Sequence, residues 1–317
     1  MALDPQTTMF IQMMAEGADP DAKPLHEMSP AEARGFGGAL AEMAGPAPPM
    51  ARVEEHTIDV DDGSFSLRVL VPNDSPPGVI VYYHGGGWVI GSIDETDTMA
   101  RKLAERTSCA VVNVEYRLAP EHRYPTAADD CYAALEWTAA HLQEIAGGQV
   151  PVFVAGDSAG GNLSAVVARR ARDRGGPEIA LQVLIYPVTD ADFDRPSYVD
   201  PENELLLTRD AMIWFWDHYV PDPAQRSEPD ASPLQADDLS GLPPAVVLTA
   251  EHDVLRDEGE EYARRLEEAG VPVNFQRHKG QMHAFFTLLM LPGSERGFQH
   301  VVKAIRAVVV QQPAAAR

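Results

Sequence analysis

The chain has 317 residues, 48 acidic against 25 basic side chains, a formal net charge of −23 and 45% apolar residues. That apolar share is enough for a sizeable core, and the length suits one large domain with an attachment. A sequence pI near 4.7, with lysines and arginines scattered singly, leaves no basic stripe to neutralise phosphates, which sets nucleic acids and anionic membranes aside as partners. The longest apolar stretches, such as Phe285 to Leu291, fall short of the ~20 residues that span a bilayer, so a soluble protein is expected. Met1 to Glu16 has neither a basic n-region nor a continuous apolar stretch, so no secretory signal is read. Cys109 and Cys131 fit buried reduced thiols and a cytoplasmic setting.

Residues 1–50 open the chain with seven of its eleven methionines (Met1, Met9, Met13, Met14, Met28, Met43, Met50). Ser29-Pro30-Ala31-Glu32 reads as a capping box that opens a helix, with Gly45 expected to close it. This segment is read either as an adaptable lid or as a Met-rich helix pair packed on the body. From residue 50 onward short apolar runs alternate with helical patterns, the signature of βα units around a mostly parallel sheet. Strands are expected near Val53 to Val60, Ser66 to Val71, Val79 to Tyr83, Ala110 to Tyr116, Pro151 to Ala155, Leu181 to Tyr186, Ala245 to Ala250 and Val273 to His278. The first two alternate polar and apolar residues and suit an antiparallel edge; the third and fifth are continuous, as buried central strands are. Helices are expected at Thr96 to Arg106, Ala127 to Ile145, Asn162 to Arg174, Asp257 to Ala269 and Glu295 to Val310. Between the sixth and seventh strands, 188–225 is too long for an ordinary connection and holds a helix from a Thr208 cap to a stop at Pro221.

Gly156-Asp157-Ser158-Ala159-Gly160 is a G-x-S-x-G element placed after a strand and before a helix. Glycines two positions either side of the serine remove Cβ atoms that would collide in so tight a turn. His84-Gly85-Gly86-Gly87-Trp88 follows the third strand, and three glycines free the backbone to aim N–H groups at one point, an oxyanion-hole loop in form. His84 is read as a structural residue of that loop. A serine hydroxyl needs a base oriented by an acid. In this strand order the acid follows a late strand and the histidine comes last, which assigns Asp253 and His283. Glu251, Asp257, His252 and His278 are close rivals in sequence. None of the four lysines follows a serine by three residues, H-E-x-x-H is absent, and Gly35 to Leu40 lacks the last glycine of a dinucleotide fingerprint.

These motifs resemble the hormone-sensitive-lipase-like family of α/β-hydrolases, the bacterial family IV carboxylesterases, in the branch with aspartate before the serine. The resemblance rests on His84 to Trp88, Glu115-Tyr-Arg-Leu-Ala-Pro-Glu-His122, Tyr124-Pro125, Gly156 to Asn162, Tyr186-Pro187, Asp253 to Gly259 and Gly280 to His283. It implies an α/β-hydrolase fold with an eight-stranded, mostly parallel sheet and flanking helices. It also implies a helical cap built from residues 1–50 and the 188–225 insertion on a catalytic domain of 51–187 and 226–317. It further implies hydrolysis of short- to medium-chain acyl esters, with Ser158, Asp253 and His283 as the triad and Gly85, Gly86 and Ala159 as oxyanion donors. No metal or organic cofactor is called for. Trp88, Met212, Trp214, Phe215, Met282 and Phe286 are the candidates for an apolar substrate pocket. An amidase, a lactonase or a specialised ester hydrolase would use the same triad. A small-ligand receptor on this fold, such as the plant gibberellin receptors, would lack the histidine. A homodimer is the expected assembly.

Overall fold

The computed structural model describes residues 2–17, 23–35 and 43–311. Eight strands form one sheet in the order β1-β2-β4-β3-β5-β6-β7-β8. They are β1 Arg52–Val60, β2 Gly63–Val71, β3 Val79–Tyr83, β4 Ala110–Glu115, β5 Val152–Asp157, β6 Leu181–Ile185, β7 Ala245–His252 and β8 Val273–Met282. β1 and β2 pair antiparallel, as their alternation predicts, β2 also runs antiparallel to β4, and every pairing from β4 onward is parallel.

The helices are α1 Pro5–Gly17, α2 Pro30–Arg34, α3 Ile93–Thr107, α4 Thr126–Ala140, α5 Leu142–Ala146, α6 Ala159–Arg174, α7 Pro196–Val199, α8 Arg209–Tyr219, α9 Arg256–Glu268 and α10 Pro292–Gln311. β3 shows how the strands feed two layers, because side chains alternate across a sheet. Val79, Val81 and Tyr83 join the core with α4, α6 and α8, whereas Ile80 and Tyr82 join the core with α3 and α10. The central strands read as unbroken apolar runs because both of their faces are covered.

Several boundaries differ from those expected. α3 starts one turn early because Ser92 caps it, its side chain accepting from the Glu95 N–H, with Asp94 and Glu95 in the first turn. The expected helix over Ala127 to Ile145 breaks at His141, whose ring stacks on Trp137 and whose Nδ1 lies 2.7 Å from the Trp137 carbonyl oxygen. The Ser29 capping box forms as read and opens α2, but the continuation toward Gly45 lies partly outside the described residues. Thr208 caps α8 by accepting from Ala211 N–H. Cys109 and Cys131 are buried and free, and burial pushes the Cys109 thiol up to about 12.

Candidate active site

Three strand ends meet at the site. β5 runs on through Asp157 and delivers Ser158 into a turn with φ 55° and ψ −118°, a conformation that costs an L-residue of order 1–3 kcal/mol. The turn is possible only because its flanks are bare. A Cβ on Gly160 would overlap the Tyr83 carbonyl oxygen, and one on Gly156 would overlap that of Gly160. Ser158 N–H donates to the Ile185 carbonyl at 2.9 Å, and its own carbonyl accepts from Asn162 and Val188. Asn162 Nδ2 ties the elbow further to the Val188 and Ala231 carbonyls at 3.0 and 2.9 Å. α6 begins at Ala159, directly after the serine, so its N-terminal N–H groups and positive dipole end face the hydroxyl.

β7 ends at His252 and places Asp253 next; β8 continues past the expected end to Met282 and places His283 next. A register shift lies between Ala250 and His252, after which His252 pairs with Met282. His283 Nδ1 lies 2.8 Å from Asp253 Oδ2, and its Nε2 lies 3.1 Å from Ser158 Oγ. A carboxylate only accepts, so Nδ1 carries the imidazole proton and Nε2 is left to accept from the serine hydroxyl. Asp253 Oδ1 accepts from Leu255 N–H at 3.0 Å, which fixes the carboxylate's rotation. All three side chains are buried, Ser158 and His283 at 7% and 8% exposure and Asp253 at 1%.

Three of the four rivals are engaged elsewhere, and His252 lies in β7, paired with Met282. Glu251 Oε2 accepts from Gly280 N–H at 2.8 Å, and Asp257 accepts from Ser197 N–H at 2.8 Å. His278 packs against Phe285, and burial pulls its pKa down to about 4. His84 is fully buried and also pulled down to about 4 by desolvation; its Nδ1 lies 2.7 Å from the Gly85 carbonyl and its ring stacks on Tyr116.

One expected oxyanion donor is otherwise occupied. Gly85 N–H donates to Asp157 Oδ1 at 3.0 Å, so it is turned away from any oxyanion. Gly86 and Gly87 follow with φ of 108° and 56°, and their N–H groups, unlike that of Gly85, donate to no acceptor among the described residues. The expected pocket residues also separate. Met212, Trp214 and Phe215 on α8 share a cluster with Ala159 and Val188, and a Cβ on Gly87 would overlap the Phe215 ring. Trp88 belongs to that core too, stacked on Tyr219 at 4.3 Å. Phe286 is a core residue, stacked on Phe298 of α10 at 4.4 Å, because the chain turns inward after Ala284 (φ 65°). Met282 is buried with Phe10 of α1, Leu288 and Leu291. Tyr186, which was not among the pocket candidates, has its ring 4.7 Å from that of His283. Its signal was the Tyr-Pro pair at the end of the sixth strand.

A family model described as alpha/beta hydrolase fold matches residues 80–287. The chain belongs to this family. Over 272 residues it is 43% identical to the carboxylesterase NlhH of Mycobacterium tuberculosis, covering 82% of this chain and 85% of that one. It is 34% identical to an ethyl acetate hydrolase of Pseudomonas putida over 317 residues, 96% and 99% of the two chains. Among solved structures, the hyperthermophilic esterase from Pyrobaculum calidifontis superposes with a TM-score of 0.88 at 39% identity, over 98% of this chain and 100% of that one. The hormone-sensitive-lipase-like resemblance and the fold class stand, and the protein is a carboxylic-ester hydrolase of the serine type. No helix among the described residues is long and apolar enough to cross a membrane.

Proposed function

We propose that this protein hydrolyses short- to medium-chain acyl esters through an acyl-enzyme on Ser158. The observation that carries this is the unbroken hydrogen-bond chain from Ser158 Oγ through His283 to Asp253. Ser158 Oγ attacks the ester carbonyl carbon while its proton passes to His283 Nε2. The carbonyl oxygen, now anionic, is held by the N–H groups of Ala159, Gly86 and Gly87; each such donor is worth roughly 3 kcal/mol of barrier. Asp253 stabilises the imidazolium, which then protonates the departing alkoxide. Water, activated by the same histidine, attacks the acyl-enzyme and releases the carboxylic acid and Ser158.

The aromatic face of α8, with Phe215 pressed on the glycine loop, supports an apolar acyl site of limited depth. The described parts of 1–50, together with 188–225, act as the cap over it. Arg34 of α2 fits that role, since its guanidinium donates to the Val89 and Ala119 carbonyls at 2.8 and 2.9 Å, next to the glycine loop. A cytoplasmic homodimer is the assembly we favour.

The test is a series of p-nitrophenyl esters of increasing acyl length, assayed on wild type and Ser158→Ala. Turnover that peaks at short to medium chains and vanishes in the variant is the expected outcome. A folded wild type that cleaves lactones or amides but none of these esters would move the assignment to those substrates.

A further inference from the structure

The catalytic cycle makes no use of Asp157, although it precedes the nucleophile and is buried at 6% exposure. Among the described residues it makes no ion pair, its hydrogen bonds going to Tyr82 and Gly85, although His283 is near enough to favour its charged form. Burial raises its pKa, with the Tyr82 hydrogen bond working in the other direction. A buried carboxyl without a counter-ion is a burden on stability, and such groups persist where they serve the site.

Its contacts say what it serves. Asp157 Oδ1 accepts from Tyr82 Oη at 2.7 Å and from Gly85 N–H at 3.0 Å. The carboxyl lies so close to the loop that a Cβ on Gly85 would overlap Oδ2. Both this peptide and the next are pinned as well: the His84 carbonyl, on the other side of the same peptide, accepts from Tyr116 Oη at 2.8 Å, and the Gly85 carbonyl, which shares its peptide with the Gly86 N–H, lies 2.7 Å from His84 Nδ1. With the first glycine clamped, the orientation of the next two peptides is set.

We propose that Asp157 is a positioning residue of the oxyanion hole: held by Tyr82, its carboxyl clamps the Gly85 N–H and thereby aims the Gly86 and Gly87 N–H groups at the anion formed on Ser158. The proposal rests on the esterase reading above. The work is done by an acceptor atom at Oδ1, not by charge, so an amide oxygen in the same place serves equally.

The experiment compares wild type, Asp157→Asn, Asp157→Ala and Tyr82→Phe with p-nitrophenyl acetate and with hexyl trifluoromethyl ketone, which takes up the serine oxygen and carries an alkoxide into the oxyanion hole. Wild-type turnover, with its loss in Ser158→Ala, checks the esterase reading separately. Asp157→Ala is expected to lower kcat about 10- to 100-fold with KM little changed, given that loss of one oxyanion donor costs roughly 100- to 1,000-fold. Its affinity for the ketone falls by a similar factor, and a cooperative melting curve checks that the variant is folded. Asp157→Asn recovers to within about threefold of wild type, and Tyr82→Phe shows a smaller loss of the same kind. The proposal is overturned if Asp157→Ala keeps wild-type kcat and ketone affinity, or if Asp157→Asn is as impaired as Asp157→Ala. If Asp157→Ala does not fold, the Asn and Phe variants decide by the same readouts.

Discussion

His283 stands between two oxygens, and Asp253 decides which of its nitrogens carries the proton. The direction follows from Asp253 Oδ1, which already accepts from Leu255 N–H at 3.0 Å. In Asp253→Asn the amide oxygen keeps that bond, so the amide NH2 faces His283 Nδ1 and forces the proton onto Nε2, toward Ser158. The nucleophile then meets a donor where it needs an acceptor. We expect kcat to fall roughly 10⁴-fold with the fold intact, as for other triads with the wrong tautomer; a loss under tenfold, with an unchanged melting curve, would contradict this role. The serine, the acid and the histidine were all legible in sequence, because a strained elbow needs glycines and the triad order follows the strand order. The glycine loop was legible only in part. A glycine triplet announces free backbone, but which N–H groups stay free depends on where the Asp157 carboxyl lands, and that contact spans 72 positions.

Among the elements, α9 carries the clearest pH-dependent feature. Glu258 on its first turn is buried, accepts from Thr189 N–H at 2.6 Å and Asp190 N–H at 3.2 Å, and so fastens the start of the 188–225 insertion to the body. Burial pushes its carboxyl up to about 8, helped by the neighbouring Asp190 carboxylate and opposed by the two N–H donors. A carboxyl whose folded pKa lies above its unfolded one binds its proton more tightly when folded. Its contribution is therefore complete below about pH 4.5 and is lost as pH rises through about 8. Glu258→Gln keeps an acceptor oxygen but cannot ionise, so Tm is expected to match wild type near the acid end of that window and exceed it at the alkaline end. Equal Tm differences across the whole window would show that Glu258 does not titrate there. Strand interiors were legible as continuous apolar runs, but strand ends were not. β8 extends beyond His278 because Glu251 accepts from Gly280 N–H and the ladder resumes past a bulge, which no hydrophobic period encodes. The break at His141 likewise rests on a ring stack with Trp137 that helical periodicity does not register.

At the scale of the whole molecule, the net charge of −23 is distributed in a way composition alone does not reveal. Several arginines each gather two or three carboxylates from different elements: Arg68 meets Glu55, Asp94 and Asp97, and Arg117 meets Asp62 and Asp130. These arginines thus act as cross-links between strands, turns and helices. Both sheet faces are packed, and the strained serine at the end of β5 is held by that rigid frame. The central claim is that this frame presents Ser158 as a nucleophile that is transiently acylated. The most direct measurement is intact-mass and peptide-mass analysis of enzyme quenched in acid during turnover of p-nitrophenyl butyrate. One butyryl group per chain, on the peptide containing Ser158 and absent from Ser158→Ala, is the expected result. Turnover with no acyl adduct, or an adduct that persists in Ser158→Ala, would contradict it.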